Sequence, residues 1–222
     1  MELWISGTID EVVAAVESGV AAAVATNPII IADWTAGGRT LEDVVAETCR
    51  RVSVPVFVQL HGPDVDAYLR EMDVLRRISP RILPKLVATP DGIAAANRLA
   101  QEGVRPLVTA VSSLNQAFLA AAAGAAYVAP YYGRIESAGQ DAAGLIEDIA
   151  TLYTLHDIPT QIVAASVRNP AQAEACLLAG AHAIVVFYDV LQQMFKSDLT
   201  DAWIEDFERR WDRIPFEGRV RR

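Results

Sequence analysis

"LLAGAHAIVVFY", residues 177–188, contains a complete structural instruction. Leu177, Leu178 and Ala179 close a helical stretch, and Gly180 supplies the left-handed residue that commonly stops a helix. The apolar run that follows, Ala183 to Phe187, is strand-like and ends on aromatic residues. The same instruction is written three more times: "VESGVAAAVATN" (16–27, around Gly19), "AQEGVRPLVTA" (100–110, around Gly103) and "AAAGAAYVAPYY" (121–132, around Gly124). A helix that ends on glycine and feeds a short apolar strand, repeated, is the mark of alternating β and α units with parallel strands.

Working outward from these anchors, strands are expected near 2–6, 21–26, 54–60, 81–87, 105–110, 126–131, 160–165 and 183–188. Helices are expected over 9–18, 40–51, 64–77, 91–102, 113–123, 140–156 and 170–178. Strands apolar on both faces fit a sheet covered by helices on one side and a packed interior on the other. Eight of them, with no linker composition, predict one closed α/β barrel domain over residues 1–222, the (β/α)8 or TIM-barrel architecture. An open doubly wound sheet is the alternative, but the first turn, "SGTIDE", lacks the glycine fingerprint of nucleotide-binding versions. One segment is surplus: "LTDAWIEDFERRWDRI" places Trp203, Phe207, Trp211 and Ile214 at helical spacing, predicting an additional C-terminal helix near 200–214. Its apolar stripe suits either the core or a neighbouring subunit. Pro84 lies inside the fourth strand, where it cannot donate to the ladder, so a bulge is expected there.

Composition excludes several classes. The 222 residues are 52% hydrophobic and 21% charged, a globular balance. A net charge of −9 argues against a nucleic-acid surface. The basic tail "GRVRR" (218–222) is most simply a solvated terminus. Cys49 and Cys176 stand far apart and outside any metal-ligand spacing, which fits a reducing cytoplasm. No basic leader opens the chain, and no run of roughly 18 apolar residues predicts a membrane span. The expectation is a cytoplasmic protein with no membrane or nucleic-acid partner.

In such barrels the chemistry lies where the strands end. In chain order those ends carry Thr26 and Asn27, Gln59 and His61, Lys85, Thr109, Tyr131 and Arg134, then Ser166 and Arg168. The set offers no His/Asp/Glu cluster of ligand spacing, so no metal is expected, and no cofactor is implied. None of the three histidines, His61, His156 and His182, has an evident serine partner for a triad. Lys85 is the unusual member. In "RILPKLVATP" (81–90) it sits in an apolar strand, with Asp91 the nearest carboxylate in sequence. Either its stem packs while the ammonium snorkels to water, or burial keeps the amine neutral and nucleophilic. In the second case the rim describes covalent amine catalysis on a carbonyl. Gln59, Thr109 and Tyr131 would hold the water that imine chemistry needs, and Arg134, Ser166 and Arg168 would clamp a phosphate.

At these residues the chain resembles the transaldolase and fructose-6-phosphate aldolase family of Schiff-base enzymes. The resemblance runs from "MELW" to "DVLQQM" through "TNPIIIA", "LPKLVAT", "GVRPLVTAV", "AGAAYVAPYYGRI" and "AASVRNPAQAEACLLAGAHAI". It implies that Lys85 is the imine-forming lysine, that Asn27 is a substrate ligand, and that Ser166, Arg134 and Arg168 contact phosphate. Gln59 and Tyr131 are similar to the aldolase subgroup, where transaldolases proper have glutamate and phenylalanine. The implied activity is a class I aldolase that joins or cleaves a small hydroxyketone and an aldehyde, with phosphorylated substrates. The alternatives are a transaldolase moving a dihydroxyacetone unit, or a barrel that binds sugar phosphates without turnover. The resemblance also implies homo-oligomeric rings, pentamers or decamers, in which the C-terminal helix reaches a neighbour. One departure stands out: the family's first strand ends in an aspartate that handles a hydroxyl proton, and this chain has Ser6 there. Ser6 is then a specificity position, and the proton falls to His61 or to Tyr131 through the held water.

Overall fold

The computed structural model describes residues 1–214; the basic tail 218–222 lies outside the described residues. The chain alternates β1 (Glu2–Ser6), α1 (Ile9–Glu17), β2 (Ala21–Ala25), α2 (Pro28–Trp34), α3 (Leu41–Arg51) and β3 (Val56–Gln59). It continues through α4 (Val65–Ile78), β4 (Ile82–Val87), α5 (Pro90–Gln101), β5 (Leu107–Val111), α6 (Leu114–Ala122) and β6 (Tyr127–Pro130). The last third holds α7 (Tyr132–Ser137), α8 (Ala142–Leu155), β7 (Gln161–Val167), α9 (Pro170–Leu178), β8 (Ala183–Phe187), α10 (Tyr188–Met194) and α11 (Asp198–Trp211). All eight strands run parallel, and β8 closes onto β1, so the fold is a (β/α)8 TIM barrel with an additional C-terminal helix. The four punctuating glycines, Gly19, Gly103, Gly124 and Gly180, all have positive φ, the conformation a helix stop requires.

Helix starts follow local chemistry. Thr8 and Thr40 close capping boxes with Glu11 and Asp43. Asn27, Thr89 and Asn169 each cap a helix whose first residue is proline. Three short helices, α2, α7 and α10, were not expected; each begins within three residues of a strand end, with no glycine between to announce it.

Two cores share the work. The larger lies between the barrel and its helices, holding Ile5, Val24, Leu86, Val128, Ile162 and Ile184 from the outward strand faces. The smaller fills the barrel interior. There Trp4 stacks on Phe57 with centroids 4.4 Å apart, and Tyr127 meets both edge-on at 5.2 and 5.4 Å. These rings plug the lower barrel. Two residues further along each strand the inward positions become Ser6, Gln59 and Ala129, and Ala25 and Ala165 stand at the same height. The change from bulky to small residues opens a space above the plug.

The bulge expected at Pro84 is absent. Pairing with β3 runs without a shift from Val56↔Ile82 through Val58↔Pro84 to Gln59↔Lys85. The Lys85 carbonyl accepts from Leu60 N on the β3 side, so by strand alternation the missing Pro84 N–H would face β5. Pairing with β5 starts only at Lys85↔Leu107, and the ladder loses nothing. The irregularities lie instead at Leu3/Trp4 where β1 meets β2, at Thr109/Val111 in β5 and at Ala164/Val167 in β7; in the last two, Ala110 (φ 59°) and Ser166 (φ 60°) take left-handed conformations. Such strain in non-glycine residues collects at functional rims.

Candidate active site

The space above the aromatic plug is a cavity of about 480 Å³ at the C-terminal ends of the strands. Lys85 rises from β4 into it, only 5% exposed, and Nζ donates to the Thr26 backbone carbonyl at 2.8 Å. Burial lowers its pKa from the ordinary 10.5 to about 7, because desolvation penalises the ammonium and no carboxylate among the described residues offsets it. A substantial fraction of a lysine so placed is a free amine at neutral pH. Register explains the placement: Leu83 and Lys85 face inward, whereas Ile82 and Leu86 face the helices.

Around the amine the rim residues fall into distinct positions. The Tyr131 ring neighbours both Lys85 and Arg134, with Lys85 Nζ 5.9 Å and Arg134 Cζ 5.6 Å from its centroid. Gln59 Oε1 and Thr109 Oγ1 are buried without a hydrogen-bond partner among the described residues. Buried acceptors in that state call for a water or a substrate group. Thr109 is fully buried and is not among the residues lining the cavity, although it shares the inward face of β5 with Leu107. The Thr26 hydroxyl donates to the Phe57 carbonyl at 3.0 Å and accepts from Gln59 N at 3.3 Å, so it ties β2 to β3. Asn27 lines the cavity, but its Oδ1 accepts from Ile29 N and Ile30 N to cap α2, which leaves its amide hydrogens for a ligand.

On the side of β6 and β7 the wall carries Arg134, Ser166 and Arg168. Arg168 is held by two bonds: its N donates to Gln172 Oε1 at 2.8 Å and its Nη1 to Ser137 Oγ at 3.0 Å. Gly133 lets α7 lie against this wall, since a Cβ there would run into the Ser166 carbonyl oxygen and crowd the Arg168 side chain. The wall is therefore a basic surface without an acidic residue among those lining the cavity.

Ser6 lines the cavity, but its Oγ donates to the Ala25 carbonyl at 2.7 Å. His61 is the residue the structure does not bring in. It is exposed and off the lining, and its backbone N donates to the Glu71 carboxylate at 2.6 Å. Counting positions past Gln59 gave its distance from the rim but not its direction. Rim counting also passed over Ala110, Val185 and Phe187, which line the cavity. Phe187 ends the very run quoted at the outset, and the same strand-end rule reaches it.

The comparisons with known proteins agree with this geometry. The family model described as Transaldolase/Fructose-6-phosphate aldolase matches residues 6–215. The chain belongs to that family. It is an enzyme of carbon–carbon bond transfer. Family relatives named probable transaldolase include one from Pelotomaculum thermopropionicum, 39% identical over 215 residues, covering 96% of this chain and 99% of that one. Another, from Thermoanaerobacter sp., is 39% identical over 206 residues, with 93% and 94% covered. A third, from Geobacter metallireducens, is 37% identical over 207 residues, with 93% and 95% covered. Family membership suggests sugar-phosphate substrates, and among the described residues no helix is long and apolar enough to cross a membrane.

Proposed function

We propose that this enzyme is a class I aldolase in which the Lys85 amine forms a Schiff base with a small hydroxyketone such as dihydroxyacetone. The observation that carries the proposal is a 5%-exposed lysine whose pKa burial brings to about 7, bonded among the described residues only to a backbone carbonyl and facing a 480 Å³ cavity. In the cleavage direction the neutral amine adds to the substrate ketone, and water leaves as the imine forms. The protonated imine draws in the electron pair of the adjacent carbon–carbon bond. As that bond breaks, the neighbouring hydroxyl loses its proton and departs as an aldehyde, leaving an enamine on Lys85. Protonation of the enamine carbon and addition of water release the ketone and restore the amine. Gln59 and Thr109, with their unpartnered oxygens, hold the water, and the Tyr131 hydroxyl moves the protons. Ser6 is bound to the Ala25 carbonyl and is not a base without help.

The aldehyde is a phosphorylated one such as glyceraldehyde 3-phosphate, held by Arg134, Arg168 and Ser166. Arg134→Ala and Arg168→Ala are each expected to weaken use of the phosphorylated aldehyde relative to its unphosphorylated analogue by about 1.5–3 kcal/mol. Steady-state kinetics with both aldehydes reads this directly, and equal losses for the two would make the arginines structural.

A transaldolase reading is favoured by the names of the relatives. Gln59 and Tyr131 favour the aldolase. Fructose 6-phosphate cleavage measured with and without an added acceptor aldehyde separates them: release of free dihydroxyacetone without acceptor supports the aldolase, and a strict acceptor requirement supports the transaldolase.

Assembly belongs to the same proposal, with a cytoplasmic ring of identical subunits, pentameric or decameric. Helix α11 has no buried residue, and Trp203 and Phe207 are 57% and 64% exposed along its apolar stripe. A stripe of that kind needs a cover, and a second copy of the chain provides it. Truncation before Thr200 is expected to lower the sedimentation coefficient to that of a smaller species. An unchanged assembly after truncation would leave the stripe without this role.

A further inference from the structure

Arg134 and Arg168 reach the basic wall from different elements, α7 and the end of β7, so their spacing depends on what ties those elements together. The backbone that leads to Arg168 is strained: Ser166 is left-handed at φ 60°, inside the break in register between Ala164 and Val167. A residue other than glycine keeps such a conformation only where its surroundings hold it there. Gln172, on α9 and only 8% exposed, supplies part of that hold. Its Oε1 accepts from Arg168 N at 2.8 Å, and its Nε2 donates to Glu136 Oε2 on α7 at 2.5 Å. Its own N donates to Asn169 Oδ1 at 2.9 Å, which fixes the base of the side chain. A second tie runs beside the first. The Ser137 hydroxyl donates to the Gly133 carbonyl at 2.6 Å, so its oxygen is the acceptor for Arg168 Nη1 at 3.0 Å.

We infer that Gln172 is a positioning residue for the anion clamp: by bridging Glu136 and the Arg168 backbone it locks α7 to the end of β7 and sets the spacing of Arg134, Ser166 and Arg168 for a phosphate. The inference rests on the phosphate reading of those three residues given above. Gln172 does not line the cavity, and it acts through Arg168 N rather than on the ligand. A buried amide is costly unless both of its ends are bonded. Here one end is bonded to the clamp itself and the other to the helix that carries Arg134. An anion that must meet two guanidinium groups at once binds more weakly when their spacing is free to vary, because binding must then order them.

The test is the binding of inorganic phosphate, followed by titration calorimetry on the whole protein, with Glu136→Ala beside Glu136→Gln. Glu136 is exposed, so neither change threatens folding. Both remove the carboxylate charge, which by itself favours an anion, but only glutamine keeps an acceptor for Gln172 Nε2. Phosphate is expected to bind Glu136→Ala about tenfold more weakly than Glu136→Gln, the size of one buried hydrogen bond. Gln172→Met, which removes both bonds, should weaken phosphate at least as much relative to the parent. It should also raise KM for glyceraldehyde 3-phosphate more than it lowers kcat. Equal affinities in the two Glu136 variants overturn the inference. Arg168→Ala separates its failure from that of the phosphate reading. If Arg168→Ala weakens phosphate while the Glu136 pair and Gln172→Met do not, the clamp stands and the positioning role fails. If Arg168→Ala leaves phosphate affinity unchanged, the phosphate reading fails, and the inference with it.

Discussion

Lys85→Met is expected to abolish carbon–carbon cleavage and, below pH 7, to yield the more stable protein. The two effects share one cause. The folded lysine has a pKa of about 7 and the unfolded one near 10.5, so between those values the unfolded chain binds more protons. Wild-type stability therefore rises as pH climbs through that window, and below it the full penalty of holding a buried ammonium is present. The shift corresponds to a penalty on the order of 5 kcal/mol. Methionine removes it at similar volume and gives up the bond to the Thr26 carbonyl, so a net gain of about 1–3 kcal/mol is expected at pH 6. Denaturant unfolding of both proteins at pH 6 and pH 9.5 checks it: the advantage of the variant should shrink at the higher pH. A difference independent of pH would mean that Lys85 is charged in both states.

Tyr131→Phe is expected to lower turnover by about 10²–10⁴-fold, the range for a positioned acid or base. The ring fills the same place near Lys85 and Arg134 in the variant, so packing and imine formation should survive. What is lost is the hydroxyl. His61→Asn, in contrast, should leave turnover near that of the parent, because His61 is exposed and off the cavity lining. Measuring kcat for the two variants side by side decides between them. A large loss in His61→Asn with a small one in Tyr131→Phe would reverse the assignment of the proton.

How much of this could be read from the sequence follows from which signals are local. Glycine after a helix is local, so Gly19, Gly103, Gly124 and Gly180 located four helix-to-strand junctions, and the alternation gave the barrel. The identity of the residues at strand ends is local too, and it brought Lys85, Gln59, Tyr131, Arg134, Ser166 and Arg168 to one cavity. Direction is not local. His61 and Phe187 both lie near rim positions, yet only the pairing of β8 with β1 shows that Phe187 turns inward, and only the start of α4 beyond Asp64 shows that His61 is left outside. Backbone strain left no trace either, because Ala110 and Ser166 take a conformation that the sequence would assign to glycine. Pro84 misled for the opposite reason. Proline in a strand signals a distortion, but here its missing donor falls on a flank where the neighbouring strand has not begun.

The most direct measurement is reductive trapping followed by peptide mapping. With saturating dihydroxyacetone, borohydride should fix one ketone-derived adduct, located on Lys85, and Lys85→Arg should give none because a guanidinium stays protonated. An adduct on another lysine, or no adduct while the enzyme turns over, would contradict the Schiff-base account.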